Sequence, residues 1–374
     1  MRDLTTVISF SPYAGGLLMI LLRSFIESDN ATLLEIEKLC PQGNDKIAEA
    51  MDKSPDAIAR YRLYDNWEVS VAEEDNRVAG WIGWTLKQDS AEKKYGYLAE
   101  VIVHPDFQRR GIATELMRKA ETDLVENRAS HAYGYVFEAN DASNAMFTKN
   151  GYAKVGEIQM QAISVYKKAK VAPEVSIRRA GRDDIPHIVN LINSYNEGRV
   201  HFVPYTTERF ENHVKNIPGY SMDNLWVALA NDRIAACTGL WDISTIAKMC
   251  YAKEPASMRI IGAVFDFLDK FTSMPKIPGE KEFFIAHYLT DYAFMPENPE
   301  SSVAMANLIR YLNNVLLDTQ SISIVALVTP DDPIVQVTRE SKPLVEKWNI
   351  YAKPLECGSM NLQPLYLDVR DFIM

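Results

Sequence analysis

The stretch Leu98–Glu121, LAEVIVHPDFQRRGIATELMRKAE, decides how the rest of the chain is read. Leu98 to Val103 is an apolar, β-branched run broken only by Glu100, and His104-Pro105 ends it. From Ile112 onward apolar residues recur at Leu116, Ala120 and Leu124 with Met117 alongside, the spacing of one helix face. The order is strand, short loop, amphipathic helix. Between strand and helix stands Gln108-Arg109-Arg110-Gly111-Ile112-Ala113. The first N–H groups of a helix lack intrahelical partners and the helix dipole is positive there, while Gly111 and Ala113 leave the backbone approachable. A phosphate fits such a helix start.

Upstream, Met19 to Phe25 reads as a strand, and Asp29 heads a helix carrying Leu33, Leu34, Ile36 and Leu39. Trp67–Ala72 and Val78–Leu86 read as a hairpin turned at Glu74-Asp75-Asn76. Downstream, His131–Phe137 is a further strand, Asn140 to Phe147 and Gly151-Tyr152 follow, and strands between Tyr152 and Tyr166 complete the unit.

Two motifs carry a resemblance. The Gln108–Ala113 loop is similar to the Gln/Arg-x-x-Gly-x-Gly/Ala signature of the GCN5-related N-acetyltransferase (GNAT) superfamily, and Val103-His104-Pro105 matches the Val-x-Pro before it. Asn140, Ser143, Phe147, Gly151 and Tyr152 fill that family's Asn-x-x-Ala/Ser-x-x-x-Tyr/Phe-x-x-x-Gly-Phe/Tyr pattern. The resemblance implies an α/β (α+β) fold, a mixed and mostly antiparallel sheet flanked by helices, over residues 19–168. It also implies transfer of an acetyl group from acetyl-CoA to a primary amine by direct attack, with acyl-CoA as co-substrate and no metal. The pyrophosphate would lie at Gln108, Arg109, Arg110, Gly111, Ile112, Ala113 and Thr114, and the main chain of Val101, Ile102 and Val103 would meet the pantetheine arm. Asn140 would contact that arm together with Phe147, and Ser143 either does so too or caps the following helix.

An alkylammonium has a pKa near 10.4 and must lose a proton before it attacks. Glu100, the only charged residue within its run, is either the general base or a strand residue facing solvent. Tyr97 and His104 are lesser candidates. Phe147 stands where many relatives have a tyrosine able to protonate the departing thiolate, so Tyr133, Tyr135 or a water takes that role, or the thiolate leaves unaided. The competing class of function is a noncatalytic acyl-CoA-binding or sensing module.

The chain then repeats itself. Arg23 and Asp29 stand before one periodic helix and Arg178 and Asp184 before another, an offset of 178 − 23 = 155. Val78 and Gly83 correspond to Ile234 and Gly239 at 234 − 78 = 156, with Asn231-Asp232-Arg233 as the second hairpin turn. Tyr152-Ala153-Lys154 matches Tyr351-Ala352-Lys353 at 351 − 152 = 199, and the growing offset places an extra segment around Ala247 to Gly279. The division is an N-terminal extension at 1–18, with Met19 as an alternative start, a GNAT domain at 19–168, a linker at 169–175 and a second GNAT-like domain at 176–374. Aligning Val103-His104-Pro105 with Phe294-Met295-Pro296, offset 191, sets Ser302 opposite Gly111 and Glu300-Ser301 opposite Arg109-Arg110. Without the glycine and with a reversed charge, the second copy reads as degenerate for CoA. Its Phe283–Phe294 run, including His287, reads as a core strand.

Composition excludes little. Of 374 residues 47% are apolar and 24% charged, ordinary for a two-domain globular chain, and the net charge of −10 argues against general nucleic-acid binding. Cys40, Cys237, Cys250 and Cys357 are dispersed, as in a reduced cytoplasmic protein without structural zinc, and the run Leu17–Leu22 is too short to span a membrane. The expected partner is a small-molecule or peptide amine, with an aminoglycoside, a polyamine, an amino acid and a protein N-terminus all open. The expected assembly is a monomer or homodimer.

Overall fold

The computed structural model describes residues 7–13, 16–254, 278–356 and 360–373; most of the extra segment expected around 247–279, and Cys357, lie outside them. The first half runs β1 (Val7–Tyr13), β2 (Gly16–Ser24), α1 (Asn30–Leu39), β3 (Gln42–Gly43), β4 (Ala48–Asp52), β5 (Trp67–Glu74), β6 (Arg77–Gln88) and β7 (Lys94–Val103). It continues with α2 (Ile112–Glu126), β8 (Ala129–Phe137), α3 (Asp141–Lys149) and β9 (Ala153–Ser164). The second half runs β10 (Ser176–Arg179), α4 (Ile185–Tyr195), α5 (Thr207–Asn216), β11 (Leu225–Ala230), β12 (Arg233–Asp242), β13 (Lys248–Lys253) and β14 (Phe283–Phe294). It ends with α6 (Pro299–Leu316), β15 (Ser321–Val328), α7 (Ile334–Thr338) and β16 (Leu344–Pro354).

Local chemistry explains the repeat. Asp75 and Asn76, and Asn231 and Asp232, all have positive φ, as a two-residue hairpin turn with the native twist requires. Arg23 grips Asp29 through both guanidinium nitrogens at 2.7 and 2.8 Å, and Arg178 grips Asp184 in the same way at 2.5 and 2.9 Å. Each aspartate also accepts from the backbone three residues earlier, Ile26 N at 2.9 Å and Gly181 N at 2.7 Å, fixing the turn into the helix. The expected first strand starts at Gly16 rather than Met19, and β1 pairs with it as an edge hairpin.

The two halves are not sequential units. The strands of the main sheet lie in the order β1-β2-β5-β6-β7-β8-β16-β9-β15-β14-β12-β11-β10. β16 of the second half is therefore inserted between β8 and β9, and β9 of the first half pairs with β15. Each half lends its last strand to the other, so the strands after Tyr152 complete the second copy and not the first. The Tyr-Ala-Lys match at offset 199 falls on these two exchanged strands, which lie side by side: Ala153 faces Ala352 and Lys154 faces Tyr351 across the antiparallel pair. A second ladder, β3-β4-β13, ties the loop after α1 to the second half.

Two neutral histidines are buried where the halves meet. Ser130 Oγ donates to Lys94 O at 2.9 Å, so it accepts from His131 Nδ1 at 2.9 Å; His131 Nε2 then accepts from His201 Nε2 at 3.0 Å. Tyr95 stacks on His201 at 3.7 Å. Burial, followed by nearby cations, lowers His131 to about 4, and burial beside His131 lowers His201 to about 2. Unfolded histidine protonates near pH 6.5, so the unfolded state binds more protons below that pH and stability falls as the pH drops from about 6.5 to about 4. The slope is up to about 1.4 kcal/mol per unit for each histidine. Thermal melts should show this loss, and His201→Gln should remove about half of the slope; a melting temperature flat over that range contradicts the assignment.

Candidate active site

The cleft follows from a defect in β7. Pairing between β6 and β7 slips between Trp81 and Gly83, and at the slip Glu100 takes φ +56°. β8 runs parallel to β7 only along Lys94 to Tyr97, so beyond that point the two strands part. α2 follows, with Leu116, Met117, Ala120 and Leu124 fully buried on its inner face. Its N-cap is Gly111 at φ +85°, a conformation that favours glycine, and no side chain caps the helix. A cleft of about 740 Å³ extends from this helix start past the β7 defect.

Of the residues expected to hold the cofactor, Val101, Ile102, Val103, Gln108, Arg109, Gly111, Ile112, Ala113, Thr114, Asn140, Ser143 and Phe147 all line that cleft. Arg110 is absent from the lining. Its guanidinium instead reaches Glu74 at 2.6 Å and Asp106 O at 2.6 Å. Asn140 is the N-cap of α3, its Oδ1 accepting from Ser143 N at 3.1 Å. The cap is thus asparagine, and Ser143 supplies the N–H. Phe147 lies over Gly134, where a Cβ would come within 2.9 Å of its ring, and packs on Tyr152 and on Tyr351 from β16. The second half also braces both helices of the cleft, through Lys353 to Glu121 at 2.7 Å and Asn349 to Asn144 at 2.8 Å.

Glu100 does not face open solvent. Its side chain is 1% exposed, paired with Lys53 Nζ and 3.5 Å from Arg60 Nη1, while Lys53 also reaches Glu37 at 2.5 Å. Burial alone would raise its pKa, but Lys53 and Arg60 outweigh that and hold the carboxyl below the ordinary carboxylate range. Its Oε2 has no hydrogen-bond partner, and Glu100 lines the cleft.

The tyrosines separate. Tyr133 donates to Asp371 Oδ2 at 3.0 Å and stays outside the cleft lining, and Tyr97 donates to Asp371 O at 2.8 Å. Tyr135 lines the cleft, its hydroxyl is unpartnered, and burial pushes its pKa well up, keeping it protonated. His104 Nδ1 accepts from Asp106 N at 3.2 Å, a local structural role.

Three contributors escape the sequence reading. Arg60 and Lys53 lie in a stretch without regular periodicity, and Asp371 lies over 200 residues further along the chain. Asp371 accepts from Tyr64 and Lys87 at 2.6 Å each, its carbonyl accepts from Arg60 at 3.0 Å, and Phe372 stacks on Tyr135 at 4.9 Å. The charged pair Arg370-Asp371 between Val369 and Phe372 was the available signal.

The second copy keeps the geometry and fills the hole. Its counterpart of Glu100 at offset 191 is Asp291, also at positive φ, +50°, beside a slip in the β12–β14 pairing. It is held by His213 at 3.1 Å and Tyr220 at 2.8 Å. At the start of α6, Asn298 Oδ1 accepts from Glu300 N at 3.0 Å, Pro299 has no N–H, and Ser301 Oγ accepts from Met295 N at 2.8 Å. Protein atoms take the donors that α2 leaves open. Asn298 does this, whereas Ser301 Oγ serves the loop N–H of Met295 and the Glu300 carboxylate turns to Asn231 at 3.0 Å.

Residues 32–152 match the acetyltransferase (GNAT) family. The chain is 26% identical over 306 residues to the acetyl transferase GW6a of Oryza sativa subsp. japonica, covering 74% of this chain and 68% of that protein. The first half carries a GNAT-family domain. That match supports an acyl-CoA-dependent acyltransferase activity. A GCN5-related N-acetyltransferase from Sphaerobacter thermophilus shares the fold with TM-score 0.61 at 12% identity, over 92% of this chain and 98% of that one. A tandem GNAT protein of the clavulanic acid biosynthesis pathway does so with TM-score 0.54 at 10% identity, over 91% and 100%. Saccharomyces cerevisiae N-myristoyltransferase, solved with myristoyl-CoA, gives TM-score 0.57 at 10% identity, over 90% and 79%. Among the described residues of this GNAT-domain protein, no helix is long and apolar enough to cross a membrane.

Proposed function

We propose that the first half transfers an acetyl group from acetyl-CoA to a primary amine by direct attack. One observation carries this reading: a single cleft joins the uncapped start of α2 to the unpartnered Oε2 of Glu100. The backbone N–H groups at Gly111 to Thr114 suit the pyrophosphate. The amine attacks the thioester carbon in its neutral form, and Glu100, ionised at working pH beside it, accepts the proton that the nitrogen sheds as the C–N bond forms. The C–N bond forms, the tetrahedral intermediate collapses with loss of the C–S bond, and the thiolate takes a proton from the Tyr135 hydroxyl or from water.

Thiol release from acetyl-CoA with a panel of amines tests this reading. Release that depends on the amine supports transfer. Tight acetyl-CoA binding without turnover would favour a sensing module.

Glu100→Gln should lower kcat/KM for the amine roughly 100-fold, the range of a positioned acid or base. Lys53 and Arg60 hold the Glu100 carboxyl below the ordinary carboxylate range, so the rate of both proteins should rise with pH as the amine deprotonates, along profiles of the same shape. A profile whose shape changes between pH 6 and 8 on substitution would show Glu100 titrating there, against this account.

A further inference from the structure

Resting on the proposed amine transfer, a further property of the acceptor follows from unsatisfied groups at the inner end of the cleft. Buried polar atoms in folded proteins almost always have partners. Here Arg60, with a side chain 0% exposed, leaves Nε without a partner and Nη1 with only a 3.5 Å ion-pair contact to Glu100 Oε1, and Glu100 leaves Oε2 without a hydrogen bond. Both residues line the same cleft. Their remaining atoms are committed: Arg60 Nη2 donates to Asp371 O at 3.0 Å, and Glu100 Oε1 is taken by Lys53. Arg60 is therefore fixed at the backbone of the second half, with its open Nε on the residue that neighbours the open carboxylate oxygen of Glu100.

A carboxylate oxygen without a donor and a guanidinium Nε without an acceptor, on neighbouring side chains, fit a molecule that presents a cation and an oxygen on neighbouring atoms. We infer that the acceptor is an α-amino acid unit, its ammonium on Glu100 Oε2 and the oxygen of its adjacent carboxyl or carbonyl group on Arg60. A simple alkylamine or a polyamine meets Glu100 but leaves Arg60 without an acceptor. A site built to bond a polar group discriminates against analogues that lack it, because its own buried group then stays unpaired. The unit is supplied either as a free amino acid or as the first residue of a peptide; the two differ in the charge of the oxygen-bearing group.

The test uses the full chain and matched acceptors: alanine, alaninamide and ethylamine, and the corresponding phenylalanine, phenylalaninamide and phenethylamine. The expected result is a kcat/KM roughly tenfold or more higher for the oxygen-bearing members of each set. The carboxylate leading identifies a free amino acid, and the amide leading identifies a peptide N-terminus. Arg60→Lys loses the planar fork and should reduce the preference while acetyl-CoA affinity, measured by calorimetry, stays the same. Turnover of the plain amines at rates equal to or above their partners overturns this inference and leaves the amine transfer standing. Failure of every amine in a wider panel overturns both.

Discussion

Gly111→Glu is expected to weaken acetyl-CoA binding more than 100-fold and to lower the melting temperature by only a few degrees. Two effects act at this position and they separate cleanly. At φ +85° any side chain is strained, at a cost of about 1–2 kcal/mol. That cost falls on free and bound protein alike, so it reduces stability and not affinity. The charge acts on the bound state. A carboxylate about 5 Å from one phosphate charge, at an effective dielectric constant of about 20, is repelled by roughly 3 kcal/mol, already more than 100-fold. Gly111→Ala carries the strain without the charge and should remain within about tenfold of the parent. Calorimetric titration of acetyl-CoA into the three proteins decides the matter, and a glutamate variant that binds within a few-fold of the parent would place the pyrophosphate elsewhere.

The second half of the molecule performs a version of that experiment. α6 follows a strand with the same defect and buries Met305, Leu308, Ile309 and Leu312 as α2 buries its own face. The two helices differ in what meets their first N–H groups: nothing from a side chain at α2, and the Asn298 side chain at α6. The difference was legible in the sequence because it depends on consecutive residues. Gly111 opposite Ser302 and an asparagine before a proline are local signals, and helix capping is local chemistry.

What stayed hidden was set by distant pairing. β9 and β16 carry similar alternating patterns, and nothing in either pattern states which neighbour each one takes; the exchange is decided by the whole sheet. The same holds for Glu100. Its position as the only charge in an apolar run marked it out, but its state depends on Lys53 and Arg60, some 40 residues upstream in irregular chain, and on the Asp371 carbonyl that fixes Arg60. Arg110, one residue from the glycine, looked equivalent to Arg109. Glu74, brought close by the β5–β6 hairpin, claims it.

The exchange of strands makes the largest prediction about the whole molecule: a chain cut after residue 168 should not fold as a monomer. It would lose β16 from between β8 and β9, leaving β8 with an open edge and β9 without the neighbours on either side of it. Trp348 and Ile350 of β16 are both fully buried, and at about 1.5–3 kcal/mol for each large apolar side chain they contribute roughly 3–6 kcal/mol. The whole stability of a domain is about 5–15 kcal/mol, so this loss alone is comparable to it. The cut also removes Asp371 and with it the acceptors for Arg60, Tyr64, Lys87, Tyr97 and Tyr133, five buried or half-buried polar side chains around the site. Residues 169–374 made alone would lack β9 beside β15 and should fail in the same way. Co-expression of the two pieces should restore a soluble 1:1 complex that binds acetyl-CoA, since each then supplies the strand the other lacks. The opposite outcome is equally concrete: a monomeric 1–168 fragment that unfolds cooperatively and binds acetyl-CoA would show that the exchanged strand is not needed to close the first half.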